Sequence, residues 1–323
     1  MSNYYIFFIK YYGDWMKNIL VLCGGNSFEY DISILSVKNI IKNIDTDLFN
    51  FKVVLISKEN EWFLNNKKIE NIIDFVKDFD LVFPVMHGAF GEDGRIQGFF
   101  ELFNVPYLGA NSSSSKICFD KALTKLILDK YPIKQVPYVI INKGEKVSIN
   151  DFPVIVKPAN GGSSIGISVA NNRKELKNAL NEAFAFDNKV VVEKFIKCRE
   201  LECAIIEDKN LIVSTVGEIE SCNKFYDFEA KYEKESNIII PAKIDRKVIK
   251  EIQRSSKKIF NILDISGFAR IDFLYDEENK ELYFNEVNTI PGFTDISMFP
   301  LLFKEQKLDF SELITKIIKC KLK

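Results

Sequence analysis

Two short segments, ARIDF (269–273) and NEVN (285–288), bring an arginine, two carboxylates and an amide together across one hairpin-like stretch. Strand alternation puts Arg270, Asp272 and Leu274 on one face of the first segment, and Leu282, Phe284, Glu286 and Asn288 on one face of the second. If the two faces coincide, oxygen ligands converge beside a guanidinium, and oxygen donors without histidine or cysteine favour Mg²⁺ over zinc. Alone, the pattern reads first as a polar sheet face with a surface salt bridge. Lys157 ends the apolar strand PVIVK directly before NGGSSIG. A buried lysine needs an anionic partner, and the loop's N–H groups and hydroxyls suit phosphate oxygens. The same loop is also an ordinary hairpin tip. Lys121, on a helix after a run of serines, reads alone as solvent-facing. HGAFGEDGRIQG (87–98) holds the chain's single histidine, four glycines and two adjacent carboxylates. Glycine lets backbone pass close to a ligand, although this composition also makes a plain solvated turn.

The elements that must position these groups alternate. KNILVLCGG (17–25), FKVVLIS (51–57) and DLVFPVMHG (80–88) read as strands, with helical spacing in ISILSVKNIIKNI between the first two. Such alternation predicts a parallel α/β layer whose ligands gather beyond the carboxyl ends of its strands, where Gly24, Gly25 and the 87–98 loop fall. GGNSFE lacks the spacing of a dinucleotide fingerprint, which argues against a dehydrogenase, and no G-K-[ST] opens a helix as a P-loop requires. NSSSSKICFDKALTKLILDK (111–130) reads as one serine-capped helix. In 171–186 a second helix sets Leu176, Ala179, Leu180 and Ala183 on one face. VVVEKFI (190–196) and RELECAII (199–206) read as strands, and the polar, aromatic-studded 221–236 as a solvated loop or edge hairpin.

The chain has 323 residues, room for two or three domains. A net charge of −1 offers no basic field for nucleic acid, and no apolar run approaches the ~20 residues that span a bilayer. Cys23, Cys118, Cys198, Cys203, Cys222 and Cys320 form no C-x-x-C pair, so they read as reduced cytoplasmic thiols. Residues 1–15 precede Met16 and the first strand-like sequence, and they read as a dispensable extension.

In combination, the motifs resemble the ATP-grasp superfamily and, within it, the D-alanine:D-alanine ligase family. The segments carrying the likeness are GGNSFEYDISILS (24–36), HGAFGEDGRIQG (87–98), VPYLGANSSSSKICFDK (105–121), PVIVKPANGGSSIGISV (153–169), VVEKFIKCRELECA (191–204), FYDFEAKY (225–232), ARIDF (269–273) and NEVNTIPGFTDISMFP (285–300), in that order. They span residue 17 to the C-terminus.

The resemblance implies an α/β ATP-grasp fold: a Rossmann-like parallel α/β domain followed by two α+β domains that sandwich ATP. The expected division is an extension at 1–16, a substrate domain at 17–109, a central subdomain at 110–193 and a catalytic domain at 194–323. It implies ATP-dependent joining of two D-alanines through a D-alanyl phosphate, for peptidoglycan precursors, in the cytoplasm and as a homodimer. Phosphoryl transfer asks mainly for positioning and charge stabilisation. By the same resemblance, Lys121 and Lys157 hold ATP phosphates and Lys231 meets the γ-phosphate. Asp272, Glu286 and Asn288 hold two Mg²⁺ (Mn²⁺ as a substitute), with a monovalent cation as a further candidate. Arg270 faces developing charge, and the Gly292 N–H faces the oxyanion. Glu193, Phe195, Ile196 and Glu200 line adenosine. Glu29 meets the first ammonium and is linked to Ser163 and Tyr232, closing 221–236 as a lid that keeps water from the acylphosphate. His87 stands near the first substrate, and Ser297, Lys231 and Met298 near the second. Phe195 replaces a frequent tryptophan, and Met298 a frequent leucine. The rivals are a D-Ala-D-Ser or D-Ala-D-lactate ligase of the same family and a non-catalytic nucleotide-binding protein on the same fold.

Overall fold

The computed structural model describes residues 16–220 and 237–322. The expected N-terminal extension, and the expected lid with Lys231 and Tyr232, lie outside the described residues. In chain order the strands are β1 (Lys17–Gly24), β2 (Phe49–Ile56), β3 (Trp62–Leu64), β4 (Lys67–Lys68), β5 (Leu81–Pro84), β6 (Tyr138–Asn142), β7 (Val154–Pro158), β8 (Ser168–Ala170), β9 (Lys189–Lys194), β10 (Arg199–Ile206), β11 (Ile212–Glu220), β12 (Asn237–Ile239), β13 (Phe268–Asp276) and β14 (Glu281–Asn288). The helices are α1 (Tyr30–Asn43), α2 (Ile72–Lys77), α3 (Arg95–Leu102), α4 (Ser112–Phe119), α5 (Lys121–Leu128), α6 (Arg173–Ala183), α7 (Arg246–Ile262), α8 (Met298–Glu305) and α9 (Phe310–Lys321).

These strands make three sheets. The first runs β4-β3-β2-β1-β5, with β1 parallel to both β2 and β5, as the alternation of elements predicts. From Ile19 onward every residue of β1 is buried, which explains its unbroken apolar run: a central parallel strand is covered on both faces. At its carboxyl end Gly24 has φ +85, and a Cβ there would lie 2.2 Å from the Ile56 carbonyl oxygen, so only glycine fits. The Gly24 N–H donates to Ser33 Oγ at 2.8 Å, and Ser33 Oγ donates to the Val85 carbonyl at 2.5 Å. One buried serine on α1 thus ties together the two strand ends from which the site loops leave.

The second sheet, β6-β9-β7-β8, is antiparallel, and α6 packs on it. Its core joins Ile141, Val154, Val156, Ala170, Val190 and Val192 to Leu176, Ala179, Leu180 and Ala183, the helix face that the sequence spacing predicts. The third sheet, β12-β11-β10-β13-β14, is also antiparallel. One side packs on α7 through Ile252, Ile259 and Phe260, and that core also takes Cys118 of α4 and Leu128 of α5. The other side shares its core with the first sheet: Ile19, Val21 and Val37 cluster with Phe268, Phe293, Phe299, Ile314 and Ile317.

The stretch 111–130 is not one helix. It breaks at Asp120, whose backbone is extended and whose Oδ1 accepts the Leu123 N–H at 3.1 Å to cap α5. The break is held by a bridge between Asp120 and Asn160 and by the Lys121 N–H donating to the Ala159 carbonyl at 2.8 Å. Lys121 is thereby brought beside the glycine-serine loop. Among the described residues no helix is long and apolar enough to cross a membrane.

Candidate active site

The β13–β14 ladder sets Arg270 opposite Asn288 and Asp272 opposite Glu286. The two polar faces therefore coincide. The register slips between Asp272 and Phe273: Phe273 faces Phe284, leaving Asn285 as the extra residue of a β-bulge. This corrects the expected shared face of Leu282, Phe284, Glu286 and Asn288. Phe284 and Leu282 belong to the hydrophobic core with Val287, because one inserted residue inverts the alternation. Downstream of the slip, Glu286 and Asn288 stand opposite the polar face of β13.

Arg270 is buried and donates from Nε and Nη2 to the two oxygens of Asp272, each at 2.8 Å. Its Nε also lies 2.8 Å from Glu202 Oε2 on β10, the residue paired in register with Asp272. Burial disfavours the guanidinium charge, but Asp272 and Glu202 more than restore it. Asn288 donates to Asp272 Oδ2 at 2.8 Å. Among the described residues no cluster of three or more acidic, histidine or cysteine side chains could hold a metal alone. The donor set is two carboxylates and an amide, which suits Mg²⁺, an ion usually held by one or two carboxylates plus substrate phosphates.

Two lysines from the second half of the site meet this strand. Lys121 Nζ donates to the Gly161 carbonyl at 2.6 Å and lies 3.5 Å from Glu286 Oε2; its side chain is only 11% exposed, not solvent-facing. Lys157 Nζ lies 2.7 Å from Glu193 Oε2 and donates to Asn285 Oδ1 at 3.3 Å. Glu193 is itself buried, with Lys125 Nζ 2.7 Å from its other oxygen. Burial alone would raise the Glu193 carboxyl; Lys157 and Lys125 overcome this and hold it at about 2. Its carboxylate is thus engaged by two lysines, so what Glu193 offers an adenosine is its strand backbone. Phe195 and Ile196 follow, half-buried, with the Phe195 N–H donating to the Pro153 carbonyl at 3.0 Å. Glu200 follows Arg199 in β10, opposite Leu274, and its charge acts on Lys157.

A third group gathers at the carboxyl ends of the first sheet. Ser163 Oγ donates to Glu29 Oε1 at 2.5 Å. A Cβ on Gly88 would lie 2.7 Å from Glu29 Oε2 and one on Gly162 3.3 Å from it, so both glycines make room for this carboxylate. His87 is buried. Its Nδ1 donates to the Ile290 carbonyl at 2.9 Å, since a carbonyl can only accept, and Nε2 then accepts from Ser36 Oγ at 2.9 Å. Ser36 Oγ in turn accepts the Phe293 N–H at 3.3 Å. Both ring nitrogens are therefore engaged by protein, and the histidine clasps the Pro-Gly loop to the first sheet. Gly292 sits against Ser297, whose Oγ lies 2.5 Å from where a Cβ would be. Ser297 Oγ also lies 2.7 Å from Thr294 Oγ1 and accepts the Thr294 N–H at 3.0 Å. Met298, expected near the second substrate, has its side chain buried in the core, with Sδ 2.5 Å from where a Cβ on Gly217 would stand.

The sequence reading missed Lys125, Glu202, Asn285 and Ser36. Lys125 lies one helical turn beyond Lys121, and Glu202 two strand residues beyond Glu200, so spacing from a named residue could have found both. Asn285 is visible only once the bulge is.

The family model for the D-ala D-ala ligase C-terminus matches residues 127–319, and that for the N-terminus matches 18–74 and 65–110. Curated relatives include the D-alanine--D-alanine ligases of Clostridium novyi (39% identical; 94% of this chain, 97% of the relative) and Clostridium acetobutylicum (40% identical, same coverage). Among solved structures, the chain is similar to VanG D-Ala:D-Ser ligase from Enterococcus faecalis (TM-score 0.84, 33% identical, 95% of this chain and 99% of that one). It is also similar to the D-alanine-D-alanine ligase of Coxiella burnetii (TM-score 0.84, 29% identical, 96% and 94%). With both family models matched and an ordered pair of acidic strands facing two lysines, the chain belongs to the D-alanine--D-alanine ligase family of ATP-grasp enzymes.

Proposed function

We propose that this chain uses ATP to join two D-alanines into D-alanyl-D-alanine for peptidoglycan precursors. The observation that carries the reading is the register of β13 and β14, which sets Asp272 against Glu286 and Arg270 against Asn288, beside Lys121 at 3.5 Å from Glu286. In this reading Lys121 and Lys157 orient the phosphates. Asp272, Glu286 and Asn288 would hold Mg²⁺, or Mn²⁺ in its place, which when bound neutralises charge on the transferred phosphoryl group. A monovalent cation is a further candidate. Glu29, oriented by Ser163, receives the ammonium of the first D-alanine, whose carboxylate takes the γ-phosphoryl group. Arg270, fixed by Asp272 and Glu202, and the Gly292 N–H face the charge that develops when the second amine attacks. Ser297 serves the second carboxylate, with Lys231. Tyr232, also outside the described residues, completes the Glu29–Ser163 pair. Phe195, Ile196 and Glu200 would seat adenosine. A homodimer in the cytoplasm belongs to the same proposal, and the free, buried thiols of Cys23, Cys118 and Cys203 support a reducing compartment.

The test is phosphate release with D-alanine alone, then with D-serine or D-lactate as the second substrate. Release that is greatest with D-alanine and yields the dipeptide supports the proposal. Preference for D-serine or D-lactate would reassign the acceptor, and no release with any of them would refute ligation.

A further inference from the structure

Lys125 is 2% exposed, and a buried ammonium is costly unless something uses it. It reaches no ligand-facing surface. Its Nζ lies 2.7 Å from Glu193 Oε1 and 5.1 Å from the Tyr138 ring centroid. The Tyr138 hydroxyl donates to Asp129 Oδ2 at 2.6 Å. Glu193 Oε2 is taken by Lys157, also at 2.7 Å. One carboxylate is thus shared by two ammonium groups, one wholly buried and one edging the cleft.

The charge count decides what this does. Were Lys157 alone with Glu193, the pair would be neutral. With Lys125 on the other oxygen, Glu193 faces two positive charges; Asp129 also acts on Lys125, and the cleft-side group left with less of the Glu193 charge is Lys157. Glu286 and Glu200 also act on Lys157, but in the ligase reading they are directed to metal and ribose. We propose that Lys125 is a positioning residue for nucleotide binding: by saturating one oxygen of Glu193, it leaves Lys157 with uncompensated positive charge for a phosphate. This rests on the nucleotide reading of the cleft. The geometry also fixes direction, since Lys125 and Lys157 approach Glu193 from α5 and β7, each at a different carboxylate oxygen.

The experiment is titration calorimetry of ADP with Mg²⁺, alongside KM for ATP and for D-alanine. Lys125→Met removes the charge and keeps much of the volume. It should weaken ADP binding about ten- to a hundredfold, the range for losing one interaction with a charged group. KM for ATP should rise with it, and KM for D-alanine should stay near wild type. The double variant Lys125→Met/Glu193→Gln frees Lys157 of the Glu193 charge and should recover much of that affinity. A folded Lys125→Met with wild-type ADP affinity overturns the proposal. So does a double variant no better than the single. If Lys125→Met does not fold, the double variant carries the test: ADP affinity near wild type supports the charge role, and weak binding overturns it. Failure of both to fold would make Lys125 a packing residue, which also overturns the proposal. A wild-type protein that binds no ADP would refute the nucleotide reading itself, so the two failures are distinguishable.

Discussion

Ser163 and Glu29 meet at 2.5 Å, hydroxyl to carboxylate, from loops of two different sheets. The contact fixes which way the Glu29 carboxylate faces and pins the glycine-serine loop to the end of the parallel sheet. Ser163→Ala should lower kcat about ten- to a hundredfold, the value of one hydrogen bond to a charged group. Stability should also fall, by about 1–3 kcal/mol, because a buried carboxylate loses a donor. Steady-state rates with D-alanine check it; a kcat equal to wild type would mean that the hydroxyl orients nothing the reaction uses.

Glu286 is 32% exposed, opposite Asp272 and 3.5 Å from Lys121. Glu286→Gln keeps the shape and removes one ligand charge. Activity should fall about a hundredfold or more while the fold persists, because metal-assisted charge neutralisation contributes several kcal/mol. Circular dichroism and phosphate release over a Mg²⁺ series measure both. Normal turnover at ordinary Mg²⁺ would leave the carboxylate pair a structural feature.

His87 spends both nitrogens on protein, one on the Ile290 carbonyl and one on Ser36. His87→Leu should cost about 1–3 kcal/mol of stability, since it strands buried polar partners. His87→Gln can still donate and accept, so it should retain more stability and more activity than the leucine variant. Urea denaturation and kcat for both variants test this. Equal inactivity in two well-folded variants would instead mean that the imidazole carries a proton.

Glu193 titrates at about 2 in the fold against an ordinary 4.5: burial pushes it up, and Lys157 and Lys125 pull it down further. A carboxyl lowered on folding stabilises the protein above its unfolded pKa. That contribution is lost as pH falls from about 4.5 toward about 2. Wild type should therefore lose stability through this window more steeply than Glu193→Gln, which cannot titrate there. Denaturant melts at stepped pH give both slopes, and parallel slopes would exclude this group as a source of acid lability.

Much of this was legible in the residues. Apolar runs ended by glycine marked β1 and β5, and the spacing of Leu176, Ala179, Leu180 and Ala183 marked the buried face of α6. Asp272 and Glu286 could be paired by counting along two strands. Counting failed at Phe284, because a bulge shifts alternation without leaving a local composition signal. It failed again at Asp120, where tertiary pairing with Asn160 overrode continuous helical periodicity. Lys125 was hidden for another reason: a lysine on an amphipathic helix is ordinarily solvated, and only the position of Glu193 on a neighbouring strand draws it inward.

The division of the cores orders events as the chain leaves the ribosome. One face of the first sheet closes early, because Leu20, Leu22 and Val54 find Ile96, Phe100 and Tyr107 nearby in sequence. The other face, with Ile19, Val21 and Cys23, meets Val37 and Ile40 of α1 early, but its core is complete only with Phe268, Phe299 and finally Ile314, Ile317 and Ile318. The middle sheet needs nothing beyond residues 141–192 to complete its own core. Translation therefore leaves the core around β1 and α1 incomplete while the younger, middle sheet can finish folding. The apolar surface around β1 and α1 that awaits Phe268, Phe299 and Ile314 is where a nascent chain of this protein is open to chaperones, until α9 arrives to complete the core.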